Sequence, residues 1–298
     1  MNVLIIGASG YIGTSVARVV REAGHSVIGL ARSDASEATL RDAGYRVLRG
    51  DVNDHESLVR GIGAAEGVIH LGAVQGNRGA AQNDVAAVKV MADALRDSGK
   101  RFILTTSMGV FGLVKGLVDE DTPYAPPPAQ AWRPEIERLA MGERGRVDGM
   151  VVRPSLVYGR GRASQVLLRL IDAVRQAGVA RYIGEGAQLT SFVHVDDIVR
   201  LYLLALEKGS AGTGYNAVSQ QVPAKDLARA IASAVGLLRE PESVTVEAAG
   251  VGTPDLISGG TSIVSGLATA RLGWSPSGPT VLFELLHGSL SALPSRSF

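Results

Sequence analysis

The chain has 298 residues, 46% hydrophobic and 20% charged, with a formal net charge of +1. This suits one large α/β domain carrying a smaller lobe, and argues against disorder, nucleic-acid binding or an acidic membrane surface as its business. The absence of cysteine excludes disulfides, thiol nucleophiles and thiolate metal sites. Residues 3–6 predict a first strand, and 14–22 a helix with Val16, Val19 and Val20 on one face, closed by Gly24. A second strand over 26–30, a helix over 35–43 closed by Gly44, and a third strand over 46–48 follow. Asn53 reads as the cap of the next helix, with Glu56 completing a capping box. Strands over 68–70, 102–106 and 150–153 are then separated by helical patterns over 84–97 and 132–141. Strand and helix taking turns implies right-handed βαβ units, hence a doubly wound parallel sheet covered on both faces. Helices are expected over 165–176, 196–207, 224–235 and 280–290, with 240–260 poor in periodicity and a loose tail. No run reaches the roughly 20 apolar residues of a membrane span, and no basic leader opens the chain, so a soluble cytoplasmic protein is expected.

Gly7-Ala8-Ser9-Gly10-Tyr11-Ile12-Gly13 stands directly between the first strand and the first helix. Glycines there permit a tight turn and close backbone approach to a pyrophosphate, and the helix start offers it free N–H groups. The fold class expected is therefore α/β, a Rossmann-type sheet with a small C-terminal substrate lobe. After the second strand come Arg32 and Ser33, where an acidic residue would suit the ribose 2′-hydroxyl and a basic one a 2′-phosphate. Arg32 with Ser33 favours NADP(H) over NAD(H), with Asp34 close by. Residues 1–160 are expected to form the NADP(H)-binding domain. Residues 161–298 are expected to form mainly the substrate lobe, with segments returning to the core.

Further motifs are Gly50-Asp51-Val52, His70-Leu71-Gly72-Ala73, Thr105-Thr106-Ser107, Arg153-Pro154-Ser155-Leu156-Val157-Tyr158-Gly159, His194-Val195-Asp196-Asp197 and Arg271-Leu272-Gly273-Trp274. With the glycine loop they make the chain resemble an extended or atypical short-chain dehydrogenase/reductase of the NAD-dependent epimerase/dehydratase branch. The resemblance implies that Asp51 and Val52 hold the adenine. It implies that Leu71, Gly72 and Ala73, with Thr105, line the ribose and nicotinamide side. Pro154, Ser155 and Val157 would approach the nicotinamide. Ser9, Gly10, Tyr11 and Ile12 belong to the phosphate loop. A homodimer through 84–97 and 132–141 is also implied.

The family's catalytic set is a Ser or Thr, a Tyr, and a Lys four residues after that Tyr. Ser107 matches the first. The Tyr-x-x-x-Lys pair is missing: the lysines are Lys89, Lys100, Lys115, Lys208 and Lys225, and none follows a tyrosine by four. Counting back from Arg153 puts Trp132 at the Tyr position and Ile136 at the Lys position. An indole N–H donates a hydrogen bond but is no acid, and Ile136 has no charge. The frame one residue on gives Arg133 and Glu137, read as an i,i+4 ion pair on a solvated helix face. Tyr124 and Lys115, in the loop after Ser107, and Tyr158, after the sixth strand, are alternative candidates near the reaction. His194 is read as structural, fixing the lobe against the sheet, with Asp196 or Asp197 capping the helix that follows. His25, His55, His70 and His287 lack metal-site spacing, so no metal is expected.

Three readings of function stay open. One is an NADP(H)-dependent oxidoreductase or epimerase-like enzyme on a small carbonyl or alcohol, with a non-standard proton donor. Another is a non-redox isomerase, lyase or cyclase on the same scaffold. The third is an NADP(H)-sensing regulator. Arg160, Arg162 and Arg181 are candidate anion contacts for a small-molecule substrate.

Overall fold

Apolar runs set between amphipathic helices give the alternation that the periodicity implies. The structure is a computed structural model that describes residues 1–72, 79–112, 114, 116–142, 146–249 and 261–291. The first half runs β1 (Asn2–Ile6), α1 (Tyr11–Glu22), β2 (Ser26–Ala31), α2 (Asp34–Asp42), β3 (Arg46–Arg49), α3 (His55–Gly63), β4 (Gly67–His70), α4 (Ala80–Leu95) and β5 (Arg101–Thr105). Then come β6 (Gly116–Val118), α5 (Arg133–Met141) and β7 (Asp148–Pro154). The remainder is β8 (Leu156–Gly159), β9 (Arg162–Ala163), α6 (Gln165–Ala177), β10 (Arg181–Ile183), β11 (Leu189–His194), α7 (Val195–Lys208), β12 (Thr213–Ala217), β13 (Gln220–Pro223), α8 (Ala224–Ala234), β14 (Glu242–Val244), α9 (Val246–Ala249), β15 (Thr261–Ile263), α10 (Gly266–Leu272) and α11 (Val281–Leu286).

The large sheet has seven strands in the order β12-β7-β5-β4-β1-β2-β3, and every pairing in it is parallel. From β1 the chain winds outward through β2 and β3, then crosses to β4 on the other side. The order therefore reverses between β1 and β4, and the crevice beyond their C-terminal ends is where such sheets bind ligands. One face is covered by α1 and α7, whose Val16, Val20, Ile198 and Tyr202 pack on Val3, Ile5 and Ile103. The other face is covered by α3, α4 and α5, with Leu58, Met91 and Ile136 against Leu4, Phe102 and Leu104.

A second sheet, β13-β11-β8-β9, carries the C-terminal half. Tyr158 and Phe192 on it pack with Leu167 and Ile171 of α6, Leu227 and Ile231 of α8, and Val281 and Leu285 of α11. This half also returns to the first sheet: β12 is its edge strand, paired with β7.

Several local expectations change. Asp54, not Asn53, caps α3, its Oδ1 accepting from Ser57 N at 3.1 Å. Asn53 instead donates its backbone N–H and its side-chain amide to Asp51 Oδ1, both at 2.9 Å. The reason is one residue of phase: the helix begins at His55, so residue 54 is the one positioned to reach the N3 amide. Likewise α7 is capped by His194, whose Nδ1 accepts from Asp196 N at 3.2 Å, and not by Asp196 or Asp197. Helix α4 begins and ends earlier than 84–97, preceded by Gly79 in the left-handed region at φ +92°. In the aperiodic stretch 240–260, β14 pairs in parallel with β10. Residues 250–260 and the tail from 292 lie outside the described residues.

Candidate active site at the C-terminal edge of the parallel sheet

The glycine loop leaves β1 at the switch point. Gly7 has φ +87°, and Gly10 N donates to Gly7 O at 3.0 Å, closing the turn. A Cβ on Gly13 would lie 1.9 Å from Gly7 O, so no other residue lets α1 pack this closely on the turn. A Cβ on Gly7 would stand 3.2 Å from Gly72 N, because the chain after β4 presses against the same loop. Gly10 caps α1 without a side chain, so among the described residues no side-chain cap occupies the first N–H groups of the helix. Backbone donors at a helix start fit a pyrophosphate.

The expected cofactor residues take varied places. Ser9 and Ile12 are half-buried in the loop. The ring of Tyr11 leaves the loop for the lobe, where its hydroxyl is shared between Gly159 O at 2.9 Å and Arg162 O at 3.0 Å. Arg32 is exposed and makes no hydrogen bond or ion pair among the described residues. Its acidic neighbour Asp34 pairs with Arg49 at 3.1 Å. Ser33 caps α2, its Oγ accepting from Ser36 N at 3.2 Å. Asp51 and Val52 sit half-buried after β3, and Leu71 N bonds Ile6 O at 2.9 Å beside the loop. Ala73 and Lys115 fall outside the described residues.

Three of the expected positions turn toward the protein interior. Thr105 Oγ1 pairs with Tyr202 of α7 at 2.7 Å. Ser155 Oγ donates to Ala217 O at 2.9 Å, tying the end of β7 to β12. Val157 is packed in the core between the sheet and α7.

The candidate catalytic residues separate into two groups. Tyr158 is fully buried, its hydroxyl donating to Pro279 O at 2.6 Å and accepting from Gln220. Burial raises its pKa far above the ordinary phenol value. It anchors the lobe. Tyr124 donates to Glu137 Oε2 at 2.7 Å and accepts from Arg153 Nη2 at 2.9 Å. Burial, reinforced by the Glu137 carboxylate, pushes its pKa up to about 12.

Glu137 is not on a solvated face. It has no exposed surface, accepts from Arg153 Nη2 at 2.8 Å and Nε at 3.0 Å, and accepts from Thr106 Oγ1 at 2.5 Å. The cause is Arg153 itself. A guanidinium inside the apolar strand Gly149-Met150-Val151-Val152 needs a buried counter-charge, and α5 supplies it. Arg153 Nη2 would stand 2.4 Å from a Cβ on Gly214, so the neighbouring strand leaves it room.

Ser107 begins a short 3₁₀ turn, Met108–Phe111, at the end of β5. Its Oγ accepts from Gly109 N and donates to Gln130 Oε1, both at 3.2 Å. A Cβ on Gly109 would collide with that amide at 2.2 Å, so glycine admits Gln130 to this place. Trp132 Nε1 donates to Asp84 Oδ2 of α4 at 3.0 Å, and Ile136 is buried between α5 and the sheet. Trp132 thus faces α4 and Ile136 the sheet, while Gln130 and Glu137 face the end of β5. Gln130, Asp84 and the partner of Arg153 were not picked out from sequence. The signal for Glu137 was there, in the arginine that ends an apolar run.

In the lobe, Arg160 pairs with Asp196 at 2.7 Å, Arg181 lies 3.7 Å from Glu242, and Arg162 stacks 5.0 Å over the Tyr11 ring. Buried Asp197 accepts from Ser277 N at 2.8 Å and Gly278 N at 3.0 Å, while its carbonyl takes Trp274 Nε1 at 2.8 Å. The histidine-aspartate motif therefore pins the C-terminal segment. Among the described residues, no group of three or more His, Asp or Glu could hold a metal ion, and no helix is long and apolar enough to cross a membrane.

The model of the NAD dependent epimerase/dehydratase family matches residues 3–218, which include the glycine loop, Ser107 and Arg153. The chain belongs to that family. Family membership makes it an enzyme of the extended short-chain dehydrogenase/reductase type. An uncharacterised Schizosaccharomyces pombe protein is 30% identical over 292 residues, covering 96% of this chain and 98% of its own. A 3-diazoavenalumate denitrifying reductase of Streptomyces is also 30% identical, over 94% of this chain and 97% of its own. Among solved structures, UDP-glucose 4-epimerase of Thermotoga maritima superposes with a TM-score of 0.76 over 97% of each chain, at 23% identity. That likeness is one of fold, and it extends over nearly the whole of both chains.

Proposed function

We propose that the chain is an NADP(H)-dependent oxidoreductase acting on a small carbonyl or alcohol, using a proton donor other than tyrosine. The observation that carries the reading is the pair Ser107–Gln130 at the end of β5, beside a glycine loop shaped for a dinucleotide. When bound, the nicotinamide supplies or accepts the hydride. Ser107 would hold the substrate oxygen by turning its one hydroxyl hydrogen from Gln130 Oε1 to it. The two Nε2 hydrogens of Gln130 are unpaired among the described residues and serve as further donors.

Fixed donors aimed at an oxygen that gains charge stabilise it without giving up a proton. The proton can then come from solvent, which suits a site whose candidate tyrosines are both engaged elsewhere. The reductase name of a relative at 30% identity supports the same direction of chemistry. Arg32 supports the phosphate-bearing cofactor, since Arg49 neutralises the carboxylate that would otherwise repel a 2′-phosphate.

The test follows NADPH consumption over a broad panel of carbonyl compounds. Turnover is expected, and Ser107→Ala should lower kcat/KM by about 100-fold, the usual effect of losing one such donor. NADPH binding without oxidation by any compound would instead favour a non-redox enzyme on this scaffold.

A further inference from the structure

We propose that Arg133 is a cofactor-binding residue: its guanidinium donates to the hydroxyls of the ribose at the nicotinamide end of the dinucleotide. This rests on the dinucleotide-binding part of the reading above, and not on turnover. Arg133 opens α5, half-buried, with its Nε shielded from solvent and without a partner. Among the described residues it makes no hydrogen bond at all, only stacking 5.4 Å over the Trp132 indole. A guanidinium carries five N–H donors and cannot accept, so the shielded Nε–H is costly until an oxygen arrives. Burial already lowers its pKa, while Asp84 and Glu137 oppose that shift.

Position says which oxygen. Residues 131 and 132 are both in the helical region, so Gln130, Arg133 and Glu137 follow one another along one helical face. Gln130 touches Ser107 and Glu137 touches Thr106, both just past β5. Arg133 lies between them, over the C-terminal edge of the sheet, with Asp84 of α4 beside it. A dinucleotide laid across the switch point has its adenosine end toward β2 and Arg32, and its other end toward β4 and β5. Arg133 stands at that second end.

Charge says what kind of oxygen. Arg133 and Arg153 are set against Asp84, Glu137 and Glu120, and the nearby buried His70 is neutral because burial lowers its pKa to about 4. A further anion would add negative charge to this cluster in a poorly solvated place. Neutral hydroxyls satisfy the donors without that cost. Arg133 would thus stand toward the ribose as the lysine of the family's catalytic pair does, from a position that counting Tyr-x-x-x-Lys does not reach.

The experiment titrates NADPH and 2′,5′-ADP, which lacks the nicotinamide ribose, into the full chain and its Arg133→Met and Arg133→Lys variants, following tryptophan fluorescence. For Arg133→Met the NADPH Kd should rise about tenfold or more, as for loss of a charged hydrogen bond, with 2′,5′-ADP unchanged. Arg133→Lys should recover most of the loss. Equal weakening of both ligands, or no change in either, would overturn the assignment. Retained 2′,5′-ADP binding also shows that the variant is folded. If wild type binds NADPH yet turns over no substrate, the oxidoreductase reading fails while this comparison stays readable.

Discussion

Glu137 on α5 and Arg153 on β7 meet at 2.8 and 3.0 Å with both side chains out of solvent. Removing one partner leaves a buried charge alone, which typically costs about 3–5 kcal/mol. Glu137→Leu and Arg153→Leu should each lose that much in urea unfolding. The double variant should recover a large part, because two apolar residues leave no orphaned charge. A double variant as unstable as the sum of the singles would show that the two side chains are not coupled and would refute the pairing.

Tyr124 donates to this pair, and its proton is held until about pH 12 by burial and by Glu137. In the unfolded chain a tyrosine ionises near pH 10. A raised folded pKa contributes stability that is present below pH 10 and lost as pH rises toward 12. Tyr124→Phe should remove that alkaline loss, at a cost of about 1 kcal/mol at neutral pH for the missing hydrogen bond. It should leave the pH profile of kcat/KM unchanged between pH 6 and 9. A profile that moves by a full pH unit would make Tyr124 the proton donor after all.

His70 closes β4 almost wholly buried, with neither ring nitrogen hydrogen-bonded among the described residues. Burial lowers its pKa from 6.5 to about 4. As pH falls through 6.5 the unfolded chain takes up this proton and the folded one does not, so stability drains away toward pH 4. The loss over that window is on the order of 3 kcal/mol. His70→Leu removes both the unpaired nitrogens and the titration. Its urea midpoint should match or exceed wild type at pH 7 and exceed it clearly at pH 4.5. Parallel acid losses in the two proteins would put the titration elsewhere.

What the sequence disclosed follows from the range of the forces involved. The alternation of β1 to β5 with α1 to α4 rests on local periodicity, and the glycine loop rests on backbone sterics, so both could be read directly. The C-terminal lobe hangs on pairings between distant residues, Tyr158 with Pro279 and Asp197 with Gly278, which no local pattern announces. The count back from Arg153 fixed Trp132 and Ile136 by number alone. Packing instead gave Ile136 to the core and Glu137 to Arg153, because a buried guanidinium constrains the helix phase more strongly than a motif spacing does. Arg133 and Glu137 then part company: Glu137 is locked in the core, and Arg133 has no acceptor among the described residues.

Arg32 tests the cofactor preference most directly. It stands exposed after β2, without a partner among the described residues, next to a carboxylate already paired with Arg49. A 2′-phosphate placed here gains a charge-assisted contact that a 2′-hydroxyl does not, worth about 1.5–3 kcal/mol, or roughly 10- to 150-fold in affinity. Arg32→Ala should weaken NADPH by at least the lower figure and leave NADH nearly unchanged, measured by fluorescence titration at low salt. Arg49→Ala should weaken NADPH more mildly, since it frees Asp34 to repel the phosphate without touching the phosphate contact itself. Raising the salt should narrow the gap between NADPH and NADH for wild type and leave Arg32→Ala almost insensitive, because Arg32 is exposed and its attraction is screened. Equal affinity of wild type for NADPH and NADH would refute the role given to Arg32 and turn the preference toward NAD(H).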